Sequence, residues 1–420
     1  MMTRTEFLRL ALGASAGWCV VDRFSNRLAA EQAPAAVGDG IEARAADVVR
    51  AYDAQGIHRT ATEVDNRSAA WLRVLAASAG AAATTESFSL GRVDVRQAFV
   101  QVGERRIEGL PLFDGGFTDA AGLRGRLGPA GSDAEFPLVR LDQPGISSEG
   151  QGIAGLRRSS AHRAIVVVTE GAKPGLTPTN AGAFTAPYGI PALQVGSDAL
   201  AWLEARAAER APAHLVAHAT RTPAEASNVV ATIAGQRPEL SPVIVMTPRS
   251  GWWQCAAERG GGLVCWLETI RLVAANRPAR QVLFVASSGH ELGHLGLDAF
   301  LEHRPGIVKA AHAWMHFGAN IGAAGGRPRL QASSEETIAL AVAAMTTEGA
   351  AVDQRVPVGN TPGGEARNIH VGGGRYVSLL GSSPFFHSSE DRWPTAVDVP
   401  TLARFARAFS NFAVTLANAG

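Results

Sequence analysis

The segment Gln281 to Glu302, QVLFVASSGHELGHLGLDAFLE, concentrates residues able to do chemistry. His290, Glu291 and His294 follow a β-branched and aromatic run, Val282 to Ala286, that predicts a buried strand. Ser287, Ser288 and Gly289 end that run, so the three side chains stand where a strand opens into a helix. In open α/β sheets, ligands bind outside the carboxyl ends of the strands. One chemistry follows from spacing alone. Two histidines four apart on a helix face can hold a zinc ion, with the intervening Glu as general base, the HExxH arrangement. Gly289, Gly293 and Gly296 disfavour the regular helix that this arrangement needs. Leu297 and Phe300 stand where its longer form would place Gly and His, and no acidic residue follows Glu302 until Glu335.

A second chemistry rests on resemblance. His290-Glu291-Leu292-Gly293-His294-Leu295-Gly296 is similar to the Glu-Glu-x-Gly-x-x-Gly turn of zinc exopeptidases of the aminopeptidase Y, glutamate carboxypeptidase and glutaminyl cyclase type. In that turn the first Glu is the general base and the second a metal ligand, and Gly293 and Gly296 acquire a reason to be there. Other segments resemble the same family in the same order. His58 to Glu63 with Ala69 to Leu72 resembles the opening Arg-x-x-Gly-Ser turn and first helix. Asn228 to Gly235 resembles the Asn-Val-Ile-Ala strand, and Ser241 to Ser250 the strand ending in His-x-Asp-Ser. Ala257 to Gly262 stands where the family has Asp-Asn-x-x-Gly, and Pro384 to Asp391 resembles the closing Tyr-His-Thr-x-x-Asp.

The resemblance implies a site of two zinc ions with a bridging Asp, further Asp, Glu and His ligands, and a Glu base. Position by position, this chain departs from it. Thr247 takes the His position, Arg249 the Asp two residues on, Glu258 the bridging Asp and Arg259 the following Asn. His290 takes the base position, whereas Glu291 and His387 match a carboxylate and the closing His. The remaining Asp belongs at the end of a strand expected over Lys309 to Phe317; counting back from Gly322 gives Ala319, and a short slip gives His316. Thr247 cannot replace an imidazole, and a permanent guanidinium repels a cation at short range. The expectation is therefore no zinc or one, with Glu258, Glu291, His387, His294 and His316 as the available ligands. Arg249 and Arg259 would occupy vacated charge space, and Arg249 is expected to pair with Glu291 or Glu258.

Without metal, His290 would be a base near neutral pH, with Glu291, Arg249 and Arg259 completing the catalytic set. Arg249, Trp252 and Trp253 are the expected substrate contacts, and Arg249 or Arg259 suits a substrate carboxylate. Ser250 and Cys255 are candidate nucleophiles, although Cys255 reads first as a small buried residue or as half of a disulfide with Cys265. The leading function is an exported aminopeptidase- or carboxypeptidase-like hydrolase of amide or peptide bonds with a degenerate metal site. The alternatives are a non-catalytic relative that binds a peptide or amino-acid-like ligand, and a single-zinc protease using HExxH.

The elements that must position these groups fit a large α/β protein. The chain has 420 residues, 46% of them hydrophobic, enough for a sizeable core. Lys plus Arg number 39 against 38 acidic residues, so no net field favours nucleic acid or an anionic membrane. The resemblance implies a mixed, mainly parallel sheet flanked by helices, built from residues 37–91 and 219–420. Residues 92–218, with the strand Ala164 to Val168 and the segment Tyr188 to Leu203, resemble a β-rich protease-associated insertion. Residues 1–36 read as an export signal: Thr3 to Arg9 resembles the twin-arginine pattern with Thr5 in place of the second Arg. The apolar run Leu10 to Val21 that follows is too short to span a bilayer. The expected location is periplasmic or extracellular, and the expected partner a peptide or amino-acid-derived molecule.

Overall fold

The computed structural model describes residues 40–141, 153–158 and 161–419, so the expected export signal lies outside the described residues. Six strands come first: β1 (Ala82–Val102), β2 (Arg105–Pro111), β3 (Leu123–Pro129), β4 (Phe136–Leu141), β5 (Ile165–Thr169) and β6 (Ala192–Gly196). Seven follow: β7 (Pro212–Ile233), β8 (Val243–Pro248), β9 (Val282–Ser287), β10 (Ala313–Phe317), β11 (Arg327–Ala332), β12 (Gln354–Arg355) and β13 (Tyr376–Ser382).

The core sheet runs β7-β9-β8-β10-β13-β11-β12. Its centre is parallel, with β9 beside β8, β8 beside β10 and β10 beside β13; β7 and β11 join antiparallel. The central strands read as unbroken apolar runs because both faces are covered. Alternation sorts their side chains. Val243, Val245, Phe284, Met315, Phe317 and Leu379 pack with the helices Ile41–Asp53, Glu63–Ser78, Gly260–Asn276, Glu335–Thr347 and Val399–Asn418. Ile244, Met246, Val285, Trp314 and Tyr376 face the opposite layer, with Leu297, Phe300 and Ile369. The parallel arrangement brings the carboxyl ends of β8, β9, β10 and β13 to one edge, and the chain leaves them at Arg249, Ser288, Gly318 and Ser383.

β1 and β7 form one long antiparallel ribbon, from Ala82 opposite Thr232 to Val102 opposite Ala213, with a bulge between Val95 and Gln97. The ribbon passes unbroken through residues 92 and 218. Its outer half closes a ring, β1-β2-β6-β5-β4-β3-β7, because β1 also pairs with β7. The strand expected over Lys309 to Phe317 is shorter than read: Ile307–Ala310 is a helical turn entered from the left-handed Gly306, and only Ala313–Phe317 is strand. Cys255 and Cys265 are buried and unpaired.

Helix Gly260–Asn276 begins with three glycines because the strand ends crowd it. A Cβ on Gly261 would lie 1.9 Å from the Ile321 carbonyl oxygen, and one on Gly262 2.5 Å from Thr247 Oγ1. Gly261→Ala is therefore expected to destabilise the protein by about 1–3 kcal/mol or more in urea unfolding, since the obstacle is backbone. Gly189→Ala, which meets nothing within 4 Å, should be nearly neutral in the same measurement.

Candidate functional site

After β9 the chain turns through Gly289 at φ 82°, a short 3₁₀ turn His290–Leu292, Gly293 at φ 89° and His294 at φ 71°. Helix Leu295–Glu302 starts only beyond His294. HExxH thus does not lie on a helix, which corrects the single-zinc protease alternative. The His290 and His294 rings stack at 4.8 Å, and His294 Nδ1 meets Asn368 Oδ1 at 2.8 Å. Gly296 is required by proximity: a Cβ there would lie 2.2 Å from the Ser288 carbonyl oxygen and 2.3 Å from Asn228 Oδ1. Asn228 straps the turn, accepting from Ser288 N and donating to Gly296 O at 2.7 Å.

Glu291 is buried and fully engaged. Its Oε1 accepts from Thr60 N at 3.0 Å and Thr60 Oγ1 at 2.6 Å, and its Oε2 from Ser250 Oγ at 2.7 Å. Ser250 Oγ in turn accepts from Gly289 N at 2.8 Å. Both β8 and β9 are tied to the opening turn through this carboxylate.

Arg249 does not pair with Glu291 or Glu258. It points away from the cleft and donates through Nη1 to Asp65 Oδ1 at 2.7 Å and Asp65 O at 2.8 Å, and through Nη2 to Ser227 O. Asp65 also accepts from Ala61 N and Ser288 Oγ. Burial raises the Asp65 pKa and Arg249 opposes that rise. The expectation of Arg249 as a catalytic or substrate contact fails, because its side chain is wholly buried and committed to structure.

Arg259 carries the charge inside the site. Its Nη2 lies 2.7 Å from Glu258 Oε1, its Nε donates to Ser250 O at 2.6 Å, and both residues are at most 1% exposed. His387 Nε2 is 3.4 Å from the same Glu258 oxygen, and its Nδ1 is 2.5 Å from the Pro178 carbonyl, which fixes the proton on Nδ1. Burial alone would push the Glu258 carboxyl up; Arg259 and His387 more than offset it and hold it at about 2. Asp391 holds the loop by accepting from Ala257 N at 2.7 Å and Glu258 N at 2.9 Å, and burial raises it to about 7.

The remaining residues are arranged around this centre. Thr247 donates to Phe317 O at 2.8 Å. His316 lies within β10, its Nδ1 2.8 Å from Ser378 Oγ, and burial lowers it to about 3. Ala319 follows the strand and accepts from Gly381 N through its carbonyl. Glu365, which no motif marked, accepts from Ser287 Oγ at 2.6 Å and faces His290 Nδ1 at 3.4 Å. Burial, then Arg259 and His294, lower His290 well below the ordinary range. Neither candidate nucleophile is activated: Ser250 is buried and donates to Glu291, and burial beside Glu258 raises the Cys255 thiol well above its usual value.

Phe113 and residues 178–181 close over these groups. Trp252 donates to Asn180 Oδ1 at 3.1 Å and stacks edge-on with Phe113, and Ala181 N donates to Glu291 O at 2.8 Å. Trp253 donates to His387 O at 2.9 Å. Trp252 is fully buried, so it is a wall between the two parts of the chain and not the open substrate contact expected of it; Trp253 is partly buried.

These donors do not fit two zinc ions. A guanidinium already sits against Glu258, the Glu291 oxygens are taken by three hydrogen-bond donors, and Thr247 is bonded to a carbonyl. Among the described residues, no group of three or more His, Cys, Asp or Glu is disposed to hold a metal ion.

Neither a family model nor a curated protein matches the sequence. The fold is similar to that of BSAP, a zinc aminopeptidase from Bacillus subtilis, at 14% identity and TM-score 0.73 over 92% of this chain and 97% of that one. It is similar to a Peptidase M28 precursor from Shewanella amazonensis SB2B at 15% identity and TM-score 0.71, covering 94% and 96%. An aminopeptidase from Aneurinibacillus sp. strain AM-1 gives 14% identity and TM-score 0.68, covering 90% and 94%. At such identity the likeness establishes the fold: a zinc-exopeptidase-like α/β core.

Two outcomes follow from the charges. Arg249→Met strands Asp65 without its cation and should cost about 3–5 kcal/mol in denaturant unfolding; Arg249→Met with Asp65→Asn should recover part of that loss. The Glu258 carboxyl is held below its unfolded value, so its contribution is present above about pH 4.3 and is lost as pH falls through about 2. Asp391, raised to about 7, runs the opposite way: its contribution is present below about pH 3.9 and is lost as pH rises through 7. Stability measured from pH 5 to 2 should therefore fall less steeply in Glu258→Gln than in the wild type.

Proposed function

We propose that the protein binds a peptide- or amino-acid-derived ligand in a peptidase-type cleft, without a two-zinc reaction. The observation that carries this reading is the buried Arg259–Glu258 pair, in which a fixed cation occupies the neighbourhood of the bridging carboxylate. A guanidinium keeps its charge at every physiological pH, so it competes permanently with a metal ion for that oxygen. The saturated Glu291 and the unactivated Ser250 and Cys255 support the same reading. Export belongs to the proposal through the Thr3–Arg9 pattern, and so does the reading of residues 92–218 as a protease-associated-like unit. No helix among the described residues is long and apolar enough to cross a membrane.

One observation favours a second reading, hydrolysis of an amide or peptide bond by a rebuilt site. Glu365 faces His290 Nδ1 at 3.4 Å, a carboxylate–imidazole arrangement in which Nε2 would accept a proton from an attacking water. Because burial and Arg259 lower His290 well below its ordinary range, it would be a weak base and not the near-neutral one expected from the sequence. The proton would pass to the departing amine as the bond to the acyl carbon breaks. The fold's aminopeptidase neighbours supply the substrate class.

Metal content of the purified full chain, measured by mass spectrometry before and after chelator, tests the primary reading together with turnover of leucyl p-nitroanilide. The expected result is well below about one zinc per chain, an unchanged thermal midpoint with chelator, and no turnover. One or more zinc retained through dialysis overturns the metal-free site. Chelator-insensitive turnover that disappears in His290→Ala and in Glu365→Gln replaces the binding reading with hydrolysis.

A further inference from the structure

A cavity of about 410 Å³ lies on the outer side of Glu291, between the opening turn of the core and the root of the β1–β7 ribbon. That volume falls within the range of about 300–1,000 Å³ typical of small-molecule sites. Its charged lining is Arg59, Arg92, Arg96, Asp94 and Glu291, three cations against two carboxylates. The internal pairings decide what is left over. Arg92 grips Asp94 with two hydrogen bonds, at 2.8 and 3.1 Å, and spends Nη1 on Ala61 O at 3.2 Å. The Glu291 oxygens are occupied by Thr60 and Ser250, as described above. The Arg59 guanidinium has no hydrogen bond or ion pair among the described residues, although it is half-buried and lies in the field of Glu291 and Asp94. Arg96, at the bulge of β1, is exposed and also lacks an ion pair among the described residues.

An arginine held partly out of water without a partner is costly unless a ligand completes it. Its backbone is fixed: the preceding His58 N donates to Trp253 O at 3.0 Å, and Arg59 O accepts from Thr62 Oγ1 at 2.7 Å. The guanidinium is thus presented from an anchored turn and not from a loose loop. The opposite wall is apolar, with Val93, Val95, Phe113 and Leu292. Phe113 is braced edge-on by Trp252 at 5.1 Å.

We infer that this cavity binds the carboxylate of a small ligand that also carries an apolar side chain, such as an acylated amino acid or the C-terminal residue of a peptide. Arg59 is the principal partner of the carboxylate, Arg96 strengthens it at the rim, and the Val93–Phe113–Leu292 wall takes the side chain. The assignment deepens the ligand-binding reading by naming a ligand class, and it uses residues outside the Arg259–Glu258 centre. Guanidinium is suited to the role because its planar donors match a carboxylate in pairs.

Calorimetric titration of the full chain at low ionic strength tests it with four probes: N-acetyl-L-leucine, N-acetyl-L-leucinamide, inorganic phosphate and L-leucyl-L-leucinamide. The acid is expected to bind about ten- to a hundredfold more tightly than its amide, the range set by losing a charged hydrogen bond. Arg59→Gln, which removes no internal hydrogen bond or ion pair, should bring acid and amide level while unfolding at or above the wild-type midpoint. Arg96→Gln should weaken the acid by less than Arg59→Gln does. Equal binding of acid and amide, phosphate binding as tightly as the acid, unchanged acid affinity in Arg59→Gln, or no binding by any probe would each overturn the inference. L-leucyl-L-leucinamide separates the two claims: if it binds wild type and Arg59→Gln alike while the acid preference is absent, the carboxylate assignment fails and the ligand-binding reading stands.

Discussion

Arg259 cannot give up its charge, and at 1% exposure it has almost no water to stabilise it. Its neighbours answer that demand in part, by an ion pair and one hydrogen bond, while its Nη atoms make no hydrogen bond among the described residues. Glu258 supplies the counter-charge at 2.7 Å, Ser250 O accepts from its Nε, and the two backbone N–H groups that Asp391 accepts hold Glu258 in place. Removing either charge would leave the other buried and uncompensated, which costs several kcal/mol. The pair is therefore better understood as a constraint than as a source of net stability. Once an arginine stands at this position, the loop before helix Gly260–Asn276, the end of β8 and the His387 segment must all be arranged to accept it.

The same reasoning explains why two arginines that flank a nine-residue loop, Ser250 to Glu258, have opposite fates. Arg249 leaves β8 toward the helix Glu63–Ser78, where Asp65 and the Ser227 carbonyl receive it. Arg259 turns inward. Had both faced Glu258 and Glu291, two cations would share a cluster in which Glu291 is already satisfied by neutral donors. Thr60 and Ser250 remove the need for a second guanidinium, and Arg249 is released to join β8 to the opening helix.

Much of the core was legible because its signals are local and periodic. The run Val282 to Ala286 is apolar at every position, as a strand covered on both faces must be, and the observed β9 extends it by one residue. The glycines after it were legible as a turn, since Gly289 and Gly293 occupy left-handed backbone and Gly296 meets another chain segment. The neighbours Glu258, Arg259 and His387 also converge, although they span the core. What escaped the reading lacks a local signature. Asp65 looks like any acidic residue in the first turn of a helix, where the dipole alone explains it, and its partner is 184 positions away. Glu365 lies in a loop without a motif. Pro178 acts through its carbonyl, and a backbone acceptor leaves no trace in residue type. Trp252 reads as an open contact from sequence because an aromatic on a loop near a cleft does not reveal which side will cover it.

That cover links the buried centre to the outer cavity. Pro178 and Asn180 bond to His387 and Trp252, and Ala181 bonds to the backbone of Glu291. Phe113, from the ring of strands, completes the apolar wall against Trp252. Phe113 and residues 178–181 thus do two things with one set of contacts. They seal Arg259, Glu258 and His387 from water, which strengthens their electrostatics, and they leave open a space lined by Arg59 on the far side of the Glu291 carboxylate. Glu291 is the shared element: its oxygens hold the opening turn, its carbonyl accepts from Ala181 N, and its side chain borders the cavity. A ligand that engages Arg59 would press on the turn that holds Glu291 and, through Ser250, on the carbonyl that Arg259 needs. A continuous chain of hydrogen bonds through Thr60, Glu291 and Ser250 thus joins the wall of the outer cavity to the carbonyl that receives Arg259.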